Sequence, residues 1–135
     1  MVLLNNMEQI NKYIIERLHI NKAIDSHIEY NYHPKTRDEL EKLIYKLIKE
    51  RGNEADLNDI DTSEIKDMDS LFHKSEFNGD ISNWNASNVK DMSSMFESSK
   101  FNGDISEWDV SNVKNMFSMF NCTPLEKNPP KWYKD

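Results

Sequence analysis

Apolar positions along the second half of the chain recur every 24 residues. Phe77, Ile81, Trp84, Val89, Met92, Met95 and Phe96 return as Phe101, Ile105, Trp108, Val113, Met116, Met119 and Phe120. The polar residues between them keep step. Phe77-Asn78-Gly79-Asp80-Ile81-Ser82 comes back as Phe101-Asn102-Gly103-Asp104-Ile105-Ser106. A period in the twenties with apolar residues at fixed offsets predicts stacked units, each too small to bury its own hydrophobic face. The fold expected is an α/β solenoid, a short leucine-rich-repeat-like array of 24-residue coils with an N-terminal helical cap.

The repeat fades at both ends. Asp61 to Met68 matches Asn85 to Met92 weakly, and Leu57, Ile60 and Leu71-Phe72 stand where Ile81, Trp84 and Met95-Phe96 stand later. Beyond Phe120, Leu125 takes the place of Phe101 and Trp132 that of Trp108. Within each coil, Phe77–Trp84 is predicted as a short parallel strand. Met92, Met95 and Phe96, like Met116, Met119 and Phe120, have the spacing of one or two turns of helix or 3₁₀. Gly79 and Gly103 mark tight or crowded positions, and Asp80 and Ser82 point outward beside Ile81.

Two helical patterns precede the repeat. Met7, Ile10, Tyr13, Ile14 and Leu18 make an apolar stripe over 7–18. Thr36-Arg37-Asp38-Glu39 reads as a capping box, in which Glu39 reaches back to the cap. Leu40, Leu43, Ile44, Leu47 and Ile48 then repeat at helical spacing up to Gly52, which suits an αL cap, so a helix is predicted over 37–51. Its stripe needs an apolar surface, and the exposed side of the first coil, at Leu57, Ile65 and Met68, is the nearest one. The chain thus divides at 52/53, with 1–52 as helical segment and cap and 53–135 as the repeat region with a truncated last coil.

Charge narrows the function. Residues 1–56 hold ten acids against nine Lys and Arg, while 57–135 hold fourteen acids against eight lysines. The repeat region thus carries about -6 of the net -7, a surface that repels phosphate backbones and argues against nucleic acid. A protein partner with a basic surface suits it better. No run approaches the ~18 apolar residues of a membrane span. The first residues turn polar after four and lack a basic region, which gives no secretory signal and an expected cytoplasmic location. The single cysteine, Cys122, excludes an intrachain disulfide framework and fits a reducing compartment.

Catalytic and metal groupings are not legible. His19, His27, His33 and His73 lack zinc-ligand spacing, no nucleophile elbow or phosphate loop occurs, and only three glycines are present. Asp80 and Asp104 follow one glycine each, unlike the glycine-rich calcium repeats of β-rolls, so they read as bend residues. No enzyme activity, metal or cofactor is expected. The expected role is a non-catalytic protein-binding module, monomeric, with contacts through the polar positions Asp80, Asn83, Asn85, Asp104, Glu107 and Asp109. Tyr13, Tyr30 and Tyr32 in the amino-terminal segment are amphipathic anchors for a second contact surface.

The motif Phe-Asn-Gly-Asp-Ile-Ser-x-Trp-(Asn/Asp)-x-Ser-Asn-Val-Lys-(Asp/Asn)-Met-x-x-Met-Phe closely resembles the BspA-like leucine-rich repeat surface proteins of bacteria. The resemblance covers about residues 34–121. It implies a leucine-rich-repeat-type solenoid and protein recognition, which in some members is adhesion to host matrix or other cells. This chain has few repeats and no evident signal or anchor. Beside an adhesin fragment, a small phage or bacterial inhibitor that blocks a basic nucleic-acid-binding groove of an enzyme or defence complex therefore stands as an alternative.

Overall fold

The computed structural model describes residues 29–134. The amphipathic stripe over 7–18, with Tyr13, lies outside the described residues. One α-helix, α1 (Arg37–Arg51), is followed by a body made of turns. The α1 range is the one the apolar spacing predicts. Thr36 caps it by accepting the Glu39 N–H at 3.2 Å. The Glu39 carboxylate passes over the cap residue and accepts the Lys35 N–H at 2.8 Å, so the capping box is displaced by one residue. At the other end Gly52 has φ 94° and ψ 174°, a positive-φ stop outside the αL region, and its N–H closes on Ile48 O at 2.7 Å. Leu40, Ile44 and Leu47 are buried in one core cluster with Leu57, Ile65 and Met68, the surface expected to receive them.

The α/β solenoid with leucine-rich-repeat coils does not stand. Among the described residues there is one helix, no β-strand and no sheet, and β-type pairing is limited to isolated bridges such as Asp56–Asp80 and Asp67–Asp91–Asn115. The physical reason lies in where the backbone donors go. In the predicted strand 77–84, Ser82 N–H turns to the Asp80 carboxylate and Trp84 N–H turns back to Ile81 O. Each local bond removes a donor that a continuous ladder requires. The predicted helical pieces fail for a different reason. Ser70, Ser94 and Ser118, and likewise Lys74, Ser98 and Cys122, all have φ between 54° and 60°. A left-handed residue after every few positions forbids the right-handed run of a helix.

The chain instead turns repeatedly within each 24-residue segment, and segments 53–76, 77–100 and 101–124 lie side by side as layers. In the middle layer, i→i−3 bonds close at Trp84, Val89, Met95, Glu97 and Ser99, and the neighbouring layers repeat the set. Between layers, Met68, Ser70, Phe72 and Lys74 donate to the carbonyls of Asp91, Ser93, Met95 and Glu97 at 2.8–3.0 Å. Met92, Ser94, Phe96 and Ser98 donate in the same way to Asn115, Phe117, Met119 and Asn121 at 2.8–3.1 Å.

Aromatic rings stack along the same direction. Phe96 lies between Phe72 and Phe120, at centroid distances of 5.5 and 5.8 Å. Trp108 lies between Trp84 and Trp132 at 6.4 Å on both sides. Each indole N–H reaches back to a carbonyl of the preceding layer, Trp84 to Leu57 O, Trp108 to Ile81 O and Trp132 to Ile105 O. Trp84 and Trp108 are therefore interior pins whose polar edge is satisfied, and the partly buried Trp132 repeats the bond at the end of the stack. Of the apolar pairs predicted as buried columns, Phe77/Phe101, Ile81/Ile105, Met95/Met119 and Phe96/Phe120 are buried throughout. Val113 and Met116 are only partly buried, unlike Val89 and Met92.

Phe96→Ala removes a ring that is fully buried and stacked on both sides. We expect a loss of about 3–5 kcal/mol, read as a lower urea midpoint. The glycines give a graded test. A Cβ at Gly79 would lie 2.0 Å from Ala55 O of the neighbouring layer, whereas at Gly103 its tightest contacts are the Phe101 ring at 2.7 and 2.8 Å. Gly79→Ala should therefore destabilise more than Gly103→Ala in paired thermal melts, since backbone yields less than a side chain.

Candidate interaction surface

Of the expected partner-binding residues, Asp80, Asn83 and Asn85 fall on the short loop 80–85 and Asp104, Glu107 and Asp109 on 104–109, and these lie in successive layers after the loop 56–61. Asp80, Asn83, Asn85, Asp104, Glu107 and Asp109 are all exposed. Asp59 and Asp61 occupy the positions of Asn83 and Asn85 one layer earlier. Sequence reasoning left out Asp56, Asp59 and Asp61, although the same 24-residue offset points to them. The loops together make an acidic strip.

Most of these acids also hold the backbone. Asp80 Oδ1 accepts the Ser82 N–H at 2.9 Å and its hydroxyl at 2.6 Å. Asp104 does the same with Ser106, and Asp109 accepts the Ser111 N–H at 3.0 Å. Hydrogen bonds from Ser106 hold the Asp104 carboxyl below its ordinary value, and those from Ser111 do so for Asp109. Asn85 fills the same role with an amide oxygen, accepting the Ser87 N–H at 2.9 Å. These side chains close Asx turns, so they are structural and charged at once.

At the amino-terminal end the strip is partly neutralised. Arg51, in the last turn of α1, donates to both oxygens of Asp59 at 3.0 and 2.9 Å, and Asn31 Nδ2 adds a bond at 2.9 Å. Hydrogen bonding from Arg51 outweighs desolvation and keeps the Asp59 carboxyl below the usual range. Burial acts to raise Asp61, but bonds from Ser63 and the nearby His33 bring it below its ordinary value. The same corner receives two of the expected tyrosines. Tyr32 pairs with Ile60 and packs against the core, while Tyr30 sets its ring edge-on to His33 at 6.3 Å. Desolvation, with the charge of Asp61, raises the Tyr30 phenol. Tyr30 and Tyr32 thus adjoin 59–61, at the amino-terminal end of the strip, and Tyr13 lies outside the described residues. The outer half, around Asp104, Glu107 and Asp109, has no Lys or Arg ion pair among the described residues.

The arrangement offers negative charge and hydrogen-bond acceptors. Among the described residues no group of three or more His, Cys, Asp or Glu side chains is placed to hold a metal ion. No helix of the described residues is long and apolar enough to cross a membrane.

A family model described as Mycoplasma protein of unknown function, DUF285, matches residues 39–134. Comparison with curated proteins and with solved structures gives no match.

Two measurements test this site. Asp80→Asn and Asp104→Asn keep the oxygen that closes each turn, as Asn85 does naturally, whereas Asp80→Ala and Asp104→Ala remove it. The Asn variants should melt near the parent, and each Ala variant should melt at a lower temperature than its Asn counterpart. Acid titration tests the Asp59 corner. A carboxyl whose folded pKa is depressed stabilises the fold above its unfolded value near 3.8, and this stability is lost as pH falls through the lower folded value. Stability should therefore begin to fall below about pH 4, and Asp59→Asn should flatten that part of the stability profile.

Proposed function

The chain belongs to the DUF285 family, and we propose that it is a non-catalytic binding module for a protein with a basic surface. One observation carries the reading. A seven-residue set of acids, Asp56, Asp59, Asp61, Asp80, Asp104, Glu107 and Asp109, is gathered on adjoining loops of a body whose core is fixed beneath it. Because turn bonds hold the carboxylates of Asp80, Asp104 and Asp109, a partner meets charges that are already positioned. Binding then loses less side-chain entropy than it would with free surface acids. Long-range attraction speeds the encounter and weakens with salt.

The charge also suits the groove of a nucleic-acid-binding protein, which is basic for the same electrostatic reason. Such a partner is one case of the general reading. The narrower resemblance to BspA-like surface proteins rests on the two full motif copies and makes adhesion to a basic matrix protein another case.

The combined variant Asp80→Asn, Asp104→Asn, Glu107→Gln and Asp109→Asn removes four charges while keeping the turn acceptors. Used as bait beside the parent protein, it should recover the partner more weakly, with association slowed about tenfold or more at low salt. The difference should shrink as ionic strength rises. Equal capture by both baits, with an intact melt for the variant, would overturn the reading.

A further inference from the structure

The terminal layer carries an uncovered face of unusual composition. Residues 125–134 begin a further layer over the loop half of 101–124, where Trp132 stacks on Trp108 and binds Ile105 O. Trp132 and Tyr133 also reach the Phe120 ring, at 6.1 and 4.9 Å, and Met119 and Phe120 are buried, so the part that the described residues leave uncovered is 110–117. Ala86, Val89 and Met92 are at most 1% exposed beneath their neighbouring layer, whereas Val110, Val113 and Met116 are partly exposed. Phe117 is 71% exposed.

The outer layer of a stacked protein ordinarily becomes more polar than the covered ones. Here the change runs the other way. Asp69 and Ser93 are succeeded by Phe117, Ala86 by Val110, and Asp67 and Asp91 by Asn115. The uncovered end is more apolar and less acidic than the layers it follows.

Its backbone is also specific. Met92, Ser94, Phe96 and Ser98 donate their N–H groups to the next layer, and the equivalent donors are those of Met116, Ser118, Phe120 and Cys122. No described residue accepts from these four. The carbonyls of Asn115, Phe117, Met119 and Asn121 point inward and are already taken by the middle layer. The edge is thus a row of donors. A second folded copy facing it edge to edge would oppose donor to donor. Head-to-tail stacking is blocked as well, since Arg37 Nε occupies Asp69 O at 2.6 Å and α1 packs its apolar face on the first-layer core.

We propose that the face formed by Val110, Val113, Met116 and Phe117 is a backbone-addition site. Its occupant is an extended segment of another protein that supplies alternate carbonyls and apolar side chains as the next layer. The geometry continues the interface already repeated between layers, and the addition of a segment to an unfilled edge is a general mode of peptide recognition. The inference rests on the protein-binding reading but concerns a different surface from the acidic strip.

The test uses the full chain and a synthetic peptide of residues 85–98, whose carbonyls at Asp91, Ser93, Met95 and Glu97 accept such a donor row in the native stack. In NMR titration the amides of Met116, Ser118, Phe120 and Cys122 should shift and gain exchange protection. Phe117→Ser, which installs the side chain of the covered equivalent Ser93, should weaken peptide binding about tenfold or more without altering the melt. Absence of shifts at these four amides with millimolar peptide would overturn the proposal. So would self-association that grows with protein concentration and vanishes in Phe117→Ser, because a second copy would then be the occupant. Shifts confined to 80–85 and 104–109 would also overturn it, while leaving the protein-binding reading standing.

Discussion

Register between layers is the constraint on which the rest depends. The N–H groups at 68, 70, 72 and 74 meet the carbonyls at 91, 93, 95 and 97 only if the chain advances by the same number of residues in each layer. The Phe and Trp stacks impose the same requirement on the side chains. An insertion of one residue would break both systems together. This explains how a body without strand or sheet still forms a continuous core from Leu40 to Phe120.

Keeping that register without strands puts a heavy demand on the turns. Each layer meets it with small polar side chains that capture nearby amides, as Asp80 does for Ser82 and Ser75 for Phe77. Left-handed residues at matching positions, Ser70, Ser94 and Ser118, re-aim the chain between turns. The acids therefore belong to the fold as much as to the surface. Their charge accompanies turn chemistry, and Asn85 and Asn115 show that an amide closes the same turn without it.

The two ends of the body are treated differently. At the first layer, α1 buries Leu40, Ile44 and Leu47, Arg37 binds an outward carbonyl, and Arg51 clamps Asp59. That end is closed by side chains that answer its exposed acceptors. The last layer is half covered by Trp132 and Tyr133, Phe117 on its remaining face is exposed, and no described residue accepts the N–H groups of Met116 and Ser118. Among the described residues, therefore, the first layer is covered and the last is only partly so.

The sequence by itself determined the period, α1 and most of the core. Those follow from apolar residues whose spacing is set by local geometry, such as Leu40, Ile44 and Leu47 on a helix or Phe77 and Phe101 one step apart. It also marked Gly79 as a crowded position, since a recurring glycine beside aromatic residues signals close approach. The secondary structure inside each layer was decided only in three dimensions. Phe77–Trp84 has a strand's alternation and Met92–Phe96 a helix's spacing, but the donors go to turns and Ser94 takes a positive φ. Local pattern cannot show which carbonyl an amide will find when the competing acceptor lies a whole layer away. The joining of Tyr30 and Tyr32 to the acidic strip was equally hidden, because it depends on residues 31–33 pairing with 59–61 across a helix. The uncovered state of Phe117 was hidden for the same reason, since burial is fixed by what the next layer places above a residue.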